Sequence, residues 1–294
     1  MKLGIIGGSG LNQIEEITNI STQKVSTPFG EPSDLFTCGT LHGQEIVFLP
    51  RHGKGHHISP GELKHRANIF AMKKLGVTHI LSISAVGSLK NEMKPRDVVI
   101  IDQYFDRTRN NTEHTFFGNG IVAHIAFAHP VCPQMADIAT NAAETAIVNS
   151  PDTSRKVHKG GTYVNMEGPA FSTRAESNFY RSAGMSVIGM TNMPEAKLAR
   201  EAEICYTTVA MVTDYDCWHP ETDHVTVDMI IGHLMANVGL AKDIIRLVID
   251  TINNIEVSCT CGQALCNAII TDPQVISQKL KTELQPIIGK YIKA

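Results

Sequence analysis

Leu3-Gly4-Ile5-Ile6-Gly7-Gly8-Ser9-Gly10 opens the chain with a short apolar run that breaks into glycine. A run this short, ended by turn residues, reads as a buried first strand feeding a tight turn. The same grammar recurs downstream. Residues 24–50 hold two or three strand candidates, the last Gln44–Leu49, with turns at Pro28-Phe29-Gly30 and His42-Gly43, as expected of antiparallel hairpins. His79–Ser84, Asp97–Asp102, Thr162–Met166, Ser186–Met190 and Cys205–Val212 read as further strands. Helical spacing falls between them: Pro60–Lys74 with Ser59 as N-cap and Gly76 as stop, then 133–149, Thr173–Ser182, Glu195–Ala202, Val225–Ile252 and 273–288. Strands alternating with helices predict an α/β fold, and the early hairpins make its central sheet mixed, flanked by helices.

Glycine-rich or polar segments follow the strands repeatedly: Gly8-Ser9-Gly10, Arg51-His52-Gly53, Ser84-Ala85-Val86-Gly87, Met190-Thr191-Asn192 and Thr213-Asp214. In open α/β sheets ligands bind beyond the carboxyl ends of the strands, so these segments are the expected site.

Composition narrows the possibilities. The chain has 294 residues, 43% hydrophobic and 19% charged, enough to build a core without metal or disulfide staples. Lys and Arg number 26 against 29 Asp and Glu, a net charge of −3, which argues against a nucleic-acid partner. No apolar run approaches the roughly 18 residues of a membrane span, and the apolar N-terminal stretch stops at Gly7-Gly8, so a cytoplasmic protein without a membrane partner is expected. No repeat or Pro/Ser-rich linker divides the chain, and one domain over 1–294 is expected.

The individual segments leave alternatives open. Gly7–Gly10 lacks the third glycine of G-x-G-x-x-G, position 13 being Gln, and no Walker lysine follows. It is a plain glycine turn or an anion nest to which Ser9 adds a hydroxyl. Arg51-His52-Gly53-Lys54-Gly55-His56-His57 is a solvated loop or a phosphate or carboxylate grip; its histidines lack a carboxylate or cysteine at metal-ligand spacing. Thr173 and Glu176 have capping-box spacing, and Phe171-Ser172 before them could offer a flat apolar face and a hydroxyl to a ring. Asp214 and Asp216 lie on one face if the chain is still extended there, where each would raise the other's pKa and suit the pair to proton transfer with a leaving heterocycle; two exposed acids are the alternative. Cys259-Thr260-Cys261 lacks a second C-x-x-C pair, so its thiols read as incidental and no metal site is expected.

Taken in order, G-I-I-G-G-S-G-L at 4–11, T-P-F-G-E-P-S-D at 27–34, R-H-G at 51–53, N-M-E-G-P-A-F-S-T-R-A-E at 165–176 and M-V-T-D-Y-D-C-W at 211–218 resemble the trimeric purine nucleoside phosphorylase family from Leu3 to about Leu247. The resemblance implies that family's mixed α/β fold and a reversible phosphorolysis, nucleoside plus phosphate giving purine plus pentose 1-phosphate. It implies inorganic phosphate as co-substrate, no cofactor, and a homotrimer that could pair into hexamers. By the same resemblance Ser9, Arg51, His52, Ser84, Ala85 and Thr191 form the phosphate shell, Met190 lies under the ribose, and Phe171, Ser172, Thr213, Asp214 and Asp216 form the purine pocket, with Asp214 as or relaying the general acid. His124 is similar to a residue that a neighbouring subunit lends to the 5′ end.

Relatives that cleave inosine and guanosine carry Glu at the position of Ser172, Asn at that of Asp214 and His at that of Val227. A carboxylate at 214 accepts the exocyclic amine of adenine. Val227, Ile230 and Ile231 would make the 5′ end apolar, where a hydroxyl would lose a hydrogen bond at a cost of about 1–3 kcal/mol. The expected substrate is therefore 5′-methylthioadenosine, with adenosine, inosine, guanosine or methylthioinosine as the alternatives. Residues 254–272 match the family weakly.

Overall fold

The structure is a computed structural model that describes residues 1–8, 11, 14–109, 111–220, 227–254 and 258–293, with the backbone alone for 111 and 227–230. Among these, the strands are β1 Leu3–Gly7, β2 Thr18–Gln23, β3 Phe36–Leu41, β4 Gln44–Pro50, β5 His79–Ser88, β6 Val98–Ile100, β7 Gln103–Asp106, β8 Val157–Lys159, β9 Thr162–Asn165, β10 Val187–Gly189 and β11 Cys205–Tyr215. The helices are α1 His65–Lys74, α2 Pro133–Val148, α3 Arg174–Ser182, α4 Asn192–Glu201, α5 Val227–Ile252, α6 Gln278–Glu283 and α7 Gln285–Ile288.

The strands join in one mixed sheet. β1, β4, β5 and β11 run parallel, β2–β3–β4 form the antiparallel edge, and β10 pairs antiparallel with β5 and parallel with β9. Strand alternation divides the core between the two faces. Leu3, Ile5, Ile46, Phe48, Leu81, Ile83, Val209 and Met211 pack with α2 and α5. Ile6, Val47, Leu49, Ile80 and Tyr206 pack with α1, α4 and the C-terminal segment, which contributes Leu265, Ala268, Ile276, Leu284, Ile287, Ile288 and Ile292. No helix among the described residues is long and apolar enough to cross a membrane.

Several boundaries differ from expectation for local reasons. β5 and β11 run on through Ala85–Ser88 and Thr213–Tyr215 because each is the other's partner along that stretch, to Tyr215↔Ser88. Pro60–Glu62 is a separate 3-10 turn closed by Ser59 and Glu62, and α1 starts only at His65. α4 starts three residues early, at Asn192, directly after Thr191. The expected helix over 273–288 is two short helices that meet at Leu284, and Pro286, with no N–H to give, fits only the first turn of the second.

The sheet makes its own opening. β1 pairs with β5 along His79–Ser82 and stops; β10 takes the same edge at Gly87–Ser88. Between them one edge of Ile83–Val86 has no strand partner among the described residues, at the carboxyl end of β1 and beside the end of β4. This is the topological switch point where α/β sheets bind ligands.

Candidate active site

A cavity of about 370 Å³ fills this gap. Gly8 and Leu11 after β1, Arg51 and His52 after β4, Ile83–Gly87 of β5, Ile188–Thr191 around β10 and Met211, Thr213 and Asp214 of β11 line it. Asp216, Phe171, Met166 and, from α5, Leu234, Asn237, Val238 and Ala241 complete the wall. Most of the residues expected at the site are thus gathered in one place.

At one end stands Arg51, which is buried. Its Nε and Nη2 grip the Glu195 carboxylate, Nη2 at 3.2 Å from Oε2; Nη2 also donates to Ser82 Oγ at 2.6 Å and Nη1 to the Ile83 carbonyl at 3.1 Å. Glu195 Oε2 takes further hydroxyls from Ser82 and Tyr206, each at 2.8 Å. Burial opposes the charge on Glu195, but the Arg51 guanidinium and these donors hold its carboxyl below the usual range. Among the described residues, four of the guanidinium's five N–H donors are therefore spent on the protein, and one of Nη1 faces a ligand. Sequence reasoning missed Glu195. An acid in the first turn of a helix usually answers the helix dipole from the surface, and only its burial beside Arg51 shows otherwise.

His52 Nδ1 donates to the Ile58 carbonyl at 2.9 Å, and its ring stacks on His56 with centroids 4.3 Å apart. Burial, then the Arg51 charge, pulls its pKa down to about 4, so the ring is neutral near pH 7 and its Nε2 carries a lone pair. Ser84 and Ala85 stand on the unpaired stretch of β5, where alternation turns the Ala85 amide the same way as the Ile83 carbonyl, into the gap. Thr191 is the N-cap of α4, which brings that helix's positive end to the cavity. Ser9 lies outside the described residues.

At the other end are the two carboxylates. A bulge in β11 between Val212 and Asp214 re-aims the strand, and both Asp214 and Asp216 line the cavity. Asp214 is 7% exposed; burial, opposed by the Thr213 hydroxyl and helped by the Asp216 charge, lifts its pKa to about 6. Thr213 Oγ1 donates to Asp214 Oδ2 at 2.7 Å. Gly87 faces Asp214 in register, and a Cβ there would come within 3.1 Å of Asp214 Oδ1 and 3.2 Å of Ile188 Cγ2. Burial also raises Asp216. Trp218 Nε1 donates to the Ser88 carbonyl at 2.8 Å, and the Arg181 guanidinium lies 3.5 Å over its ring, which pins the end of β11.

Met190 forms part of the floor between the two ends. Gly168 lies against it: φ is +68°, and a Cβ would meet Met190 Sδ at 2.5 Å, so only glycine fits this turn. Phe171 lines the mouth while 51% exposed. Thr173 caps α3 through the expected box with Glu176. Ser172 does not line the cavity: its Oγ lies 3.8 Å from Met166 Sδ, and its carbonyl accepts from Cys217 Sγ. His124 is exposed and away from the cavity, its amide bonded to the Ala268 carbonyl. The side chains of Val227 and Ile230 lie outside the described residues. Ile231 is 49% exposed and is not among the α5 residues that line the cavity, which are Leu234, Asn237, Val238 and Ala241 among the described residues.

Residues 2–250 match the Phosphorylase superfamily. The chain belongs to this superfamily. Among its relatives, the S-methyl-5'-thioadenosine phosphorylase of Geobacter sulfurreducens is 55% identical over 291 residues, 99% of each chain. A solved methylthioadenosine phosphorylase from an Antarctic soil metagenomic library superposes with a TM-score of 0.91 at 47% identity, covering 97% of this chain and 98% of that one. The Schistosoma mansoni methylthioadenosine phosphorylase in complex with adenine superposes at 0.84 with 36% identity, covering 92% and 99%. The mixed sheet flanked by helices is thus the phosphorylase fold, as the sequence led one to expect.

Cys259 and Cys261 do not stand apart from the other thiols: Cys132 and Cys205 join them in a cluster at the opposite end of β11 from Asp214. Their partners come singly from distant elements, so no second short-spaced pair marks them in the sequence.

Proposed function

We propose that the chain catalyses the reversible phosphorolysis of 5′-methylthioadenosine to adenine and 5-methylthioribose 1-phosphate, a pentosyl transfer. The observation that carries this reading is the cavity's two chemistries, an anion grip at Arg51 and a buried carboxyl with its pKa near 6 at Asp214, in a chain with full-length methylthioadenosine phosphorylase relatives.

Inorganic phosphate binds against the remaining Arg51 N–H, the Ser84 and Thr191 hydroxyls, the Ala85 amide and Ser9. Glu195 already cancels the Arg51 charge, so neutral donors supply much of the grip. Hydrogen phosphate donates its O–H to the lone pair of neutral His52 Nε2. A phosphate oxygen attacks C1′ of the ribose, which lies over Met190, as the C1′–N9 bond breaks; its electron pair goes to the purine. Asp214 hands a proton to the ring nitrogen of the departing adenine, and solvent restores it. The proton brought by hydrogen phosphate equals the one that leaves on adenine, so the reaction balances without a further cofactor.

Phe171 covers one face of the purine, with Thr213 and Asp216 around its edge. While one oxygen of the protonated Asp214 carboxyl donates to the ring nitrogen, the other accepts from the adenine amine, which favours 6-aminopurines. Val227 and Ile230 form the apolar 5′ subsite with His124 from a neighbouring subunit of a homotrimer; the exposed apolar side chains of Ile231 and Met235 on α5 support such a neighbour. The chain acts as one domain in the cytoplasm, where its seven thiols stay reduced.

The test is phosphate-dependent base release, followed by chromatography, from methylthioadenosine, adenosine, methylthioinosine and inosine. Adenine release fastest from methylthioadenosine and absent without phosphate is the expected outcome. Faster hypoxanthine release would overturn the reading of Asp214. Light scattering at three chain masses would support the trimer.

A further inference from the structure

We propose that Cys132, Cys205, Cys259 and Cys261 form a closed, structural zinc site that fastens the C-terminal segment to the sheet. The four Sγ atoms lie within 4.8 Å of one another, the Cys205–Cys259 pair at 3.1 Å. A tetrahedral zinc with Zn–S bonds of about 2.3 Å sets its sulfurs about 3.8 Å apart, inside this range. Iron–sulfur clusters, with several metals and bridging sulfides, hold their cysteines further apart, so the span suits a single ion. Cys132, Cys205 and Cys261 are buried and Cys259 half-buried, which leaves no open coordination position for substrate. All four ligands being thiolates selects a soft or borderline cation over magnesium or calcium.

The surroundings prepare the ligands. Cys132 is the N-cap of the 16-residue α2, whose positive end favours a thiolate. Cys205 is the first residue of β11 and is fixed by its pairing with His79 of β5. Cys259 and Cys261 flank Thr260 at the entrance to a 3-10 turn, and the Ser258 amide donates to Gln134 Oε1 of α2 at 2.8 Å. Two disulfides would need only that thiols meet in pairs. Here all four converge on one point from three separate parts of the chain, the arrangement a metal requires and two disulfides do not.

The tether has a purpose in the fold. The C-terminal segment is joined to α5 through 255–257, and its apolar residues complete the cluster under α1 and α4. It also bridges the 121–125 stretch through Ala123↔Ile269. Binding releases thiol protons as zinc enters, and its free energy adds to that of folding.

The experiment is elemental analysis of the intact protein, purified without chelator, beside its non-reducing denatured mass. We expect about one zinc per chain, a mass with no hydrogens lost to disulfides, and intense thiolate-to-metal bands after cobalt exchange. The Cys259→Ser/Cys261→Ser variant should drop to under about a tenth of a zinc per chain and melt earlier, with base release per folded chain within about twofold of the parent. A metal-free protein would overturn the proposal, whether its mass showed disulfides or seven free thiols, as would iron in place of zinc. If the variant fails to fold, zinc content and cobalt spectra of the parent still decide.

Discussion

The two ends of the cavity solve opposite problems with the same kind of group. At the Arg51 end, a buried carboxylate is held ionised: Glu195 receives the guanidinium and two hydroxyls, and its pKa falls. At the Asp214 end, a carboxyl that is also buried, though slightly less so, has the Thr213 hydroxyl and a neighbouring acid for company, and its pKa rises to about 6. Burial alone therefore does not decide the role of an acid; its partners do. The first carboxylate builds a rigid anion grip, and the second is left free to hold and give a proton.

The sharpest way to break this contrast is to remove the first partner. Glu195→Ala strands the Arg51 charge in the interior and should cost about 3–5 kcal/mol of stability, read by denaturant unfolding; a loss under about 1 kcal/mol would mean that Arg51 does not depend on Glu195. Asp214→Asn comes next. It keeps the shape but removes the proton donor, so kcat/KM for methylthioadenosine should fall about 10²–10³-fold while the KM for phosphate stays within about twofold. Equal damage to both would erase the division of labour between the two ends. Val227→His probes the 5′ end that the family resemblance assigns and should shift preference toward adenosine by about tenfold, as a new hydrogen bond of about 1–3 kcal/mol allows. An unmoved ratio of the two substrates would place the methylthio group elsewhere. Smallest is Tyr206→Phe, which deletes one of several bonds to Glu195 Oε2. About 1 kcal/mol of stability should go, with base release little changed.

Much of the fold was legible because periodicity is a local signal. Short apolar runs such as Ile80–Ile83 and Leu3–Ile6 marked buried strands, and turn residues marked their ends. The reading failed where pairing overrode local chemistry: Ala85-Val86-Gly87-Ser88 looks like a loop alone, yet β11 holds it as strand. Arg51, His52, Ser84, Ala85, Thr191, Phe171 and Asp214 were found because they follow strands in segments that resemble the family's. Glu195 and the thiols of Cys132 and Cys205 were not. Each acquires its meaning from a partner far away in the chain, and no spacing rule reaches that far.

The measurement that bears most directly on the proton-holding carboxyl is the pH dependence of kcat/KM for methylthioadenosine, at saturating phosphate, in the parent and in Asp214→Asn. An acid with its pKa lifted to about 6 is protonated below that pH and loses its proton above it. Adenine release by the parent should fall as pH rises through about 6, by up to about tenfold per pH unit, while the variant is slower and lacks that limb. Profiles of the same shape in both proteins would contradict a proton held by Asp214.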